Sequence, residues 1–183
     1  MPTIEQSKEL IKEKILWCRK GTEKFPEPIL NYLHSWRVYE ALQTHGFNED
    51  VQMAGLLHDI IEDGEMTLEE LRELEYSDII LHLVDLSTHD MIVDGSFEKW
   101  KKMLQRLIEE DNKNAWAIKL ADISDNLLEC HLMPNKEKLE RFLNKKCPVF
   151  VYYGNKYFGG TEFYNEFLER YFGQIKEYNQ YFI

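Results

Sequence analysis

An all-α bundle of about eight or nine helices is the fold class this sequence predicts, on three observations. Apolar residues recur at helical spacing along most of the 183 residues. Residues that cap helices stand at the starts of those stretches. The run most like a strand, "DIILHLVDLS" at 78–87, is long and has no partner strands nearby, so it too reads as helix.

Taken in order, residues 4–20 set Ile4, Leu10, Ile11, Ile15 and Leu16 on one stripe, and Gly21 ends that helix. "KFPEP" (24–28) is a loop, because two prolines so close together interrupt regular structure. Residues 29–44 read as helix, stopping near Gly46, and Asn48 is set to cap the next, "VQMAGLLHDIIED", which runs to Gly64. "TLEE" (67–70) fits a capping box, with Thr67 as N-cap and Glu70 reaching back. Ser77 opens the 78–87 helix, Ser96 starts "FEKWKKMLQRLIEE", and Asn114 precedes "AWAIKLADISDNLLECHL". Pro134 breaks the chain, Asn135 caps "KEKLERFLNKK", and Pro148 breaks it again. "VFVYYGNKYFGG" is β-prone and carries a Gly-Asn turn, which predicts a small β-hairpin near 149–158. Thr161 caps a final helix rich in Phe and Tyr. With no internal repeat and no dividing linker, residues 1–183 read as one domain, with 135–183 an aromatic-rich C-terminal extension. Those aromatics suit either a cover for the domain's own core or a homodimer face.

The net charge is −11, from 22 basic against 33 acidic residues. That argues against nucleic-acid or anionic-membrane partners, which need a basic surface. It leaves room for a phosphate-bearing small molecule held by a metal and a few local cations. Cys18, Cys130 and Cys147 are odd in number and form no CxxC pair, so a reducing, cytoplasmic setting is expected. No apolar run approaches the roughly 18–20 residues of a membrane span.

The chemistry begins at "GLLHDIIEDG" (55–64), an apolar helix that nonetheless carries His58, Asp59, Glu62 and Asp63. Positions four apart share a helix face, so His58 aligns with Glu62 and Asp59 with Asp63. Unpaired buried carboxylates are expensive, and a divalent cation removes that cost. "EDG" also reads as a solvated helix end, and for His-Asp alone a chance pair is the better reading. Two distant positions change the weighing: His34 lies inside the apolar helix of "NYLHSW", and Asp122 inside that of "AIKLADISDN". Imidazole nitrogen with carboxylate oxygen suits Mn²⁺, Fe²⁺, Zn²⁺, Ni²⁺ or Co²⁺. His89 sits just past the 78–87 run, where lining a pocket competes with an ordinary surface position.

The pattern His34, His58-Asp59, Asp122 resembles the HD-domain superfamily of metal-dependent phosphohydrolases. "HDIIED" further resembles the HDxxED segment of the alarmone (ppGpp) hydrolase branch, the RelA/SpoT type, and "KLADISDN" its KLAD segment with Asn four residues after the Asp. "VDLSTHD" resembles the short segment between them, and the likeness covers roughly residues 30–130. In length the chain is similar to the small stand-alone hydrolases, the metazoan SpoT homologues and their bacterial relatives.

The resemblance implies that His34, His58, Asp59 and Asp122 hold a divalent metal, Mn²⁺ first. It makes Glu62 and Asp63 the catalytic acidic pair and gives Asn126 a hold on the nucleotide. Lys24, Lys119 and Arg37, with Lys20, are candidate phosphate contacts. Each reads equally well as an ordinary surface cation. This chain departs from the branch in two places. The spacing in "KFPEPILNYLH" before His34 is longer, and Ile123 stands where a basic residue is common. The expected activity is hydrolysis of a nucleotide phosphate or pyrophosphate ester, with a ppGpp-like 3′-pyrophosphate first. The alternatives are an HD-type nucleotidase or phosphodiesterase on another nucleotide, and a catalytically silent metal- or nucleotide-binding sensor module.

Overall fold

The computed structural model describes residues 1–16, 18–19, 29–89, 94–133 and 135–182. Among these run α1 (Ile4–Lys14), α2 (Tyr32–Thr44), α3 (Glu49–Leu57), α4 (Ile60–Asp63), α5 (Leu68–Glu73), α6 (Asp78–Ser87), α7 (Ser96–Glu110), α8 (Lys113–Leu128), α9 (Lys136–Arg141), α10 (Cys147–Phe158) and α11 (Glu162–Phe182). α4 follows α3 after a break at His58 and Asp59, and a π turn, Phe142–Lys146, joins α9 to α10. Counted as continuous bodies the described helices number nine, and the all-α class holds. The β structure among the described residues is one antiparallel pair of two-residue strands, β1 (Cys18–Arg19) and β2 (Ile29–Leu30).

Local chemistry accounts for the helix starts. Thr67 and Glu70 form the expected capping box, and Thr3 with Gln6 forms a second one at α1. The side chains of Asn48, Ser77 and Asn135 accept from the backbone N–H three residues on, which satisfies donors that have no partner within the helix. α8 starts earlier than expected, because Asn112 caps it in place of Asn114.

α8 is the centre of the bundle, packed against α2, α3, α6, α10 and α11. Small residues on it, Ala115, Ala117 and Ala121, let neighbours close in, while Trp116, Ile118, Leu120 and Leu127 fill the gaps between them. Each fully buried side chain of this size contributes about 1.5–3 kcal/mol.

Four expectations are corrected. The hairpin near 149–158 does not form: these residues lie in α10. Pro148 sits in that helix's first turn, where no backbone N–H is needed, so it starts the helix instead of breaking the chain. Phe150, Gly154 and Phe158 make a buried stripe at four-residue spacing. Gly154 is a contact point, not a turn: a Cβ there would meet the Tyr164 ring at 2.7 Å. α1 stops at Lys14, because Ile15 leaves the helical region (φ −90°, ψ 80°), and Leu16 is 80% exposed instead of joining the stripe. α2 begins at Tyr32, since 29–30 pair with 18–19. Of the aromatics in the C-terminal stretch, Phe150, Phe158, Phe163, Tyr164, Phe167 and Tyr171 join the hydrophobic core. No helix among the described residues is long and apolar enough to cross a membrane.

Candidate active site

Three elements bring the expected metal-type residues to one point. His34 comes from the first turn of α2, His58 from the end of α3 and Asp122 from the middle of α8. Asp59 stands in the break between α3 and α4, at φ −103° and ψ 1°. His34 Nε2 lies 3.6 Å from Asp59 Oδ2 and 3.2 Å from Asp122 Oδ1. His58 Nε2 lies 3.2 Å and 3.9 Å from the same two oxygens. One ligand atom from each of His34, His58 and Asp59 falls within 4.8 Å of the others.

The imidazoles are oriented from behind. His58 Nδ1 meets the Gly55 carbonyl at 2.8 Å, and His34 Nδ1 meets Asp125 Oδ2 at 2.6 Å. That leaves both Nε2 atoms buried without a hydrogen-bond partner, a situation that costs about 1–3 kcal/mol per group if nothing is bound. Two orphaned nitrogens facing two carboxylate oxygens fit a divalent cation, and the mixed N/O set suits a first-row transition metal.

The electrostatics agree. Burial works against a charged His34 ring, but the closeness of Asp122 and Asp125 and the charges of Asp122 and Asp59 outweigh it, pushing His34 up to about 10. Burial likewise opposes ionised Asp122, yet Lys119 and the two histidines hold it well below the usual carboxylate range. The site therefore demands positive charge, which protons or a cation can supply.

Glu62 and Asp63, on α4, line the same cleft of about 570 Å³. Glu62 accepts from the His89 backbone N–H at 2.7 Å and meets His89 Nδ1 at 2.5 Å. Asp63 accepts from Asn31 Nδ2 at 2.7 Å. Burial, with the charges of Asp59 and Glu62 nearby, pushes Asp63 up to about 7. Lys119 is buried with its ammonium 2.5 Å from Asp122 Oδ2, and Asn126 Nδ2 donates to Asp122 Oδ1 at 2.5 Å. Both line the cleft. Arg37 does not: its guanidinium is turned to Asp125 and Glu129 behind His34. Lys24, like Lys20, lies outside the described residues.

Several lining residues were not anticipated. Lys138, Arg141 and Lys146, from α9 and the π turn, make a mainly basic wall that also holds Glu137, and Phe97, Trp100 and Phe142 add apolar lining. Lys138, Phe142 and Lys146 recur at four-residue spacing in "KEKLERFLNKK", but that spacing alone does not set them apart from a solvated helix face. Burial, aided by the charge of Lys119, pushes Lys146 down to about 8. Asn31 and Asp125 each lie one helical turn from a predicted ligand, on His34's helix face and Asp122's.

Residues 31–127 match the HD domain, and the chain belongs to the HD-domain family. That family places it among the metal-dependent phosphohydrolases, and the His34–His58–Asp59 group is a candidate site of the kind this class requires. Among relatives, it is 30% identical over 153 residues to a GTP pyrophosphokinase of Streptomyces coelicolor, a match covering 81% of this chain and 17% of the other. The chain thus spans about one sixth of that relative. Its fold is similar to a metazoan orthologue of SpoT described as hydrolysing ppGpp and acting in starvation responses (TM-score 0.70, 22% identity, 97% of both chains). It is also similar to lmo0812 of Listeria monocytogenes EGD-e (TM-score 0.62, 22% identity, 78% of this chain and 94% of that one).

Proposed function

We propose that the protein hydrolyses a nucleotide carrying phosphate groups, removing the pyrophosphate of a ppGpp-like 3′-diphosphate. The observation that carries this reading is the pair of unpartnered, buried Nε2 atoms of His34 and His58 facing the oxygens of Asp59 and Asp122, with Glu62 and Asp63 beside them. The described activity of the metazoan SpoT orthologue supports the choice of substrate.

His34, His58, Asp59 and Asp122 would hold the cation, Mn²⁺ in the first instance. When bound, a divalent cation supplies Lewis-acid polarisation of a phosphoryl oxygen and makes water more acidic.

The chain's own residues do the rest. Glu62, fixed at both oxygens by His89, orients the attacking water. Asp63, raised to about 7 and steadied by Asn31, can take a proton and return it near neutral pH. The water oxygen bonds to phosphorus, the bond from phosphorus to the 3′ oxygen breaks, and that oxygen leaves with a proton. Asn126, on the face of α8 that lines the cleft, suits a sugar hydroxyl or a base edge. Lys119 supports Asp122 and adds charge for a phosphate. The basic wall of Lys138, Arg141 and Lys146 suits a second phosphate group, and the apolar lining of Phe97, Trp100 and Phe142 suits the base.

The test is direct. Purified protein with Mn²⁺ is expected to release pyrophosphate from ppGpp. Turnover confined to other nucleotides would defeat the alarmone substrate. Metal binding without turnover on any phosphoester would leave a sensor module.

A further inference from the structure

A charged cluster behind His34 takes no part in the reaction described above. α8 presents Asp122 to the cleft and, one turn later, buried Asp125 to the back of His34. Asp125 Oδ2 is 2.6 Å from His34 Nδ1. Arg37, one turn after His34 on α2, donates Nε to Asp125 Oδ1 at 2.7 Å and Nη2 to Oδ2 at 2.9 Å. The same Nη2 pairs with Glu129, one turn beyond Asp125. Both oxygens of Asp125 are thereby fixed by the two-pronged guanidinium, which sets the plane of the carboxylate.

We propose that Asp125, locked by Arg37 and Glu129, is a positioning residue that keeps the proton of His34 on Nδ1 and its bare Nε2 aimed at His58, Asp59 and Asp122. The inference rests on the reading of His34 as a metal ligand. The chemistry follows from what each atom can do. An imidazole binds metal through an unprotonated nitrogen, and its neutral form carries one N–H. A carboxylate only accepts, so Asp125 admits only a protonated Nδ1. A buried carboxylate held this way also raises the donor strength of the ring it supports. His58 gets its orientation from a neutral partner, the Gly55 carbonyl, so the two imidazoles are supported by different means.

Asp125→Asn is the discriminating change, because it preserves shape. With Arg37 claiming the amide oxygen, the amide NH₂ faces His34 Nδ1, which must then accept, and the proton moves to Nε2. The expected result is a 10–100-fold loss of Mn²⁺ affinity, the usual size for a supporting carboxylate, read by chelator competition with the thermal melt retained. The hydrogen-bonded Nδ1–H resonance of His34 in zinc-loaded protein should also disappear. Asp125→Glu, which restores an acceptor, should recover part of the affinity. If Asp125→Asn does not fold, Arg37→Gln unlocks the same carboxylate and should weaken Mn²⁺ several-fold. A folded variant with wild-type Mn²⁺ affinity and an unchanged Nδ1–H signal overturns this inference and leaves the proposed function standing. Wild-type protein that binds neither Mn²⁺ nor Zn²⁺ overturns both.

Discussion

The two walls of the cleft are built on opposite principles. The wall from α2, α3, α4 and α8 is acidic, and its groups are fixed by near neighbours: Asp122 by Lys119 and Asn126, Glu62 by His89, Asp63 by Asn31, His34 by Asp125. The wall from α9 and the π turn is basic and loosely held. Lys146 reaches over the Trp100 ring at 5.1 Å, and Arg141 pairs with the exposed Glu137. The contrast separates two jobs. Groups that bind a cation or move a proton need positions set to within a fraction of an ångström. Groups that attract an anion need only charge in a partly dry place.

Mutations can break this contrast wall by wall. Asp59→Ala removes the carboxylate set against both imidazoles and is expected to abolish stoichiometric metal binding, measured by metal analysis of the purified protein. Glu62→Gln should retain the metal and lose about 10²–10⁴-fold in turnover, the usual share of acid–base catalysis. Full turnover would remove Glu62 from its role. Lys146→Ala should leave metal content untouched and weaken a pyrophosphate-bearing ligand about 10-fold, the worth of one charged hydrogen bond. Isothermal titration separates the two walls in this way.

The charge on Lys146 also sets a pH dependence. Burial lowers its value to about 8, so the ammonium is complete below that pH and lost above it. Affinity for the anionic ligand should fall as pH rises through about 8, and Lys146→Ala should remove that step. The smallest effect on the site comes from Gly154→Ala. The added methyl presses on the Tyr164 ring and should cost about 1–3 kcal/mol in a denaturant melt, with metal binding intact.

The acidic wall was legible and the basic wall was not, for a physical reason. His34 and Asp122 stand out because a polar side chain inside an apolar helix must be satisfied by something, and that demand is visible in one dimension. The partners Asn31 and Asp125 sit one turn from them and could have been found by the same spacing. Lys138, Arg141 and Lys146 look like any solvated helix face until α9 is packed over the cleft. Arg37 shows the reverse case. Its type suggested a phosphate contact, but its position on α2 turns it to Asp125.

Taken alone, the sequence determined the helical class, most of the caps and the identity of the clustered His and Asp residues, because caps and helical periodicity are local. Tertiary packing decided the rest. Residues 149–158 are strand-prone by composition, but burying Phe150 and Phe158 against the core made them a helix. The support behind His34 and the second wall of the cleft depend on contacts between distant segments, whereas His58 is held by Gly55 of its own helix. No local preference encodes where those segments meet.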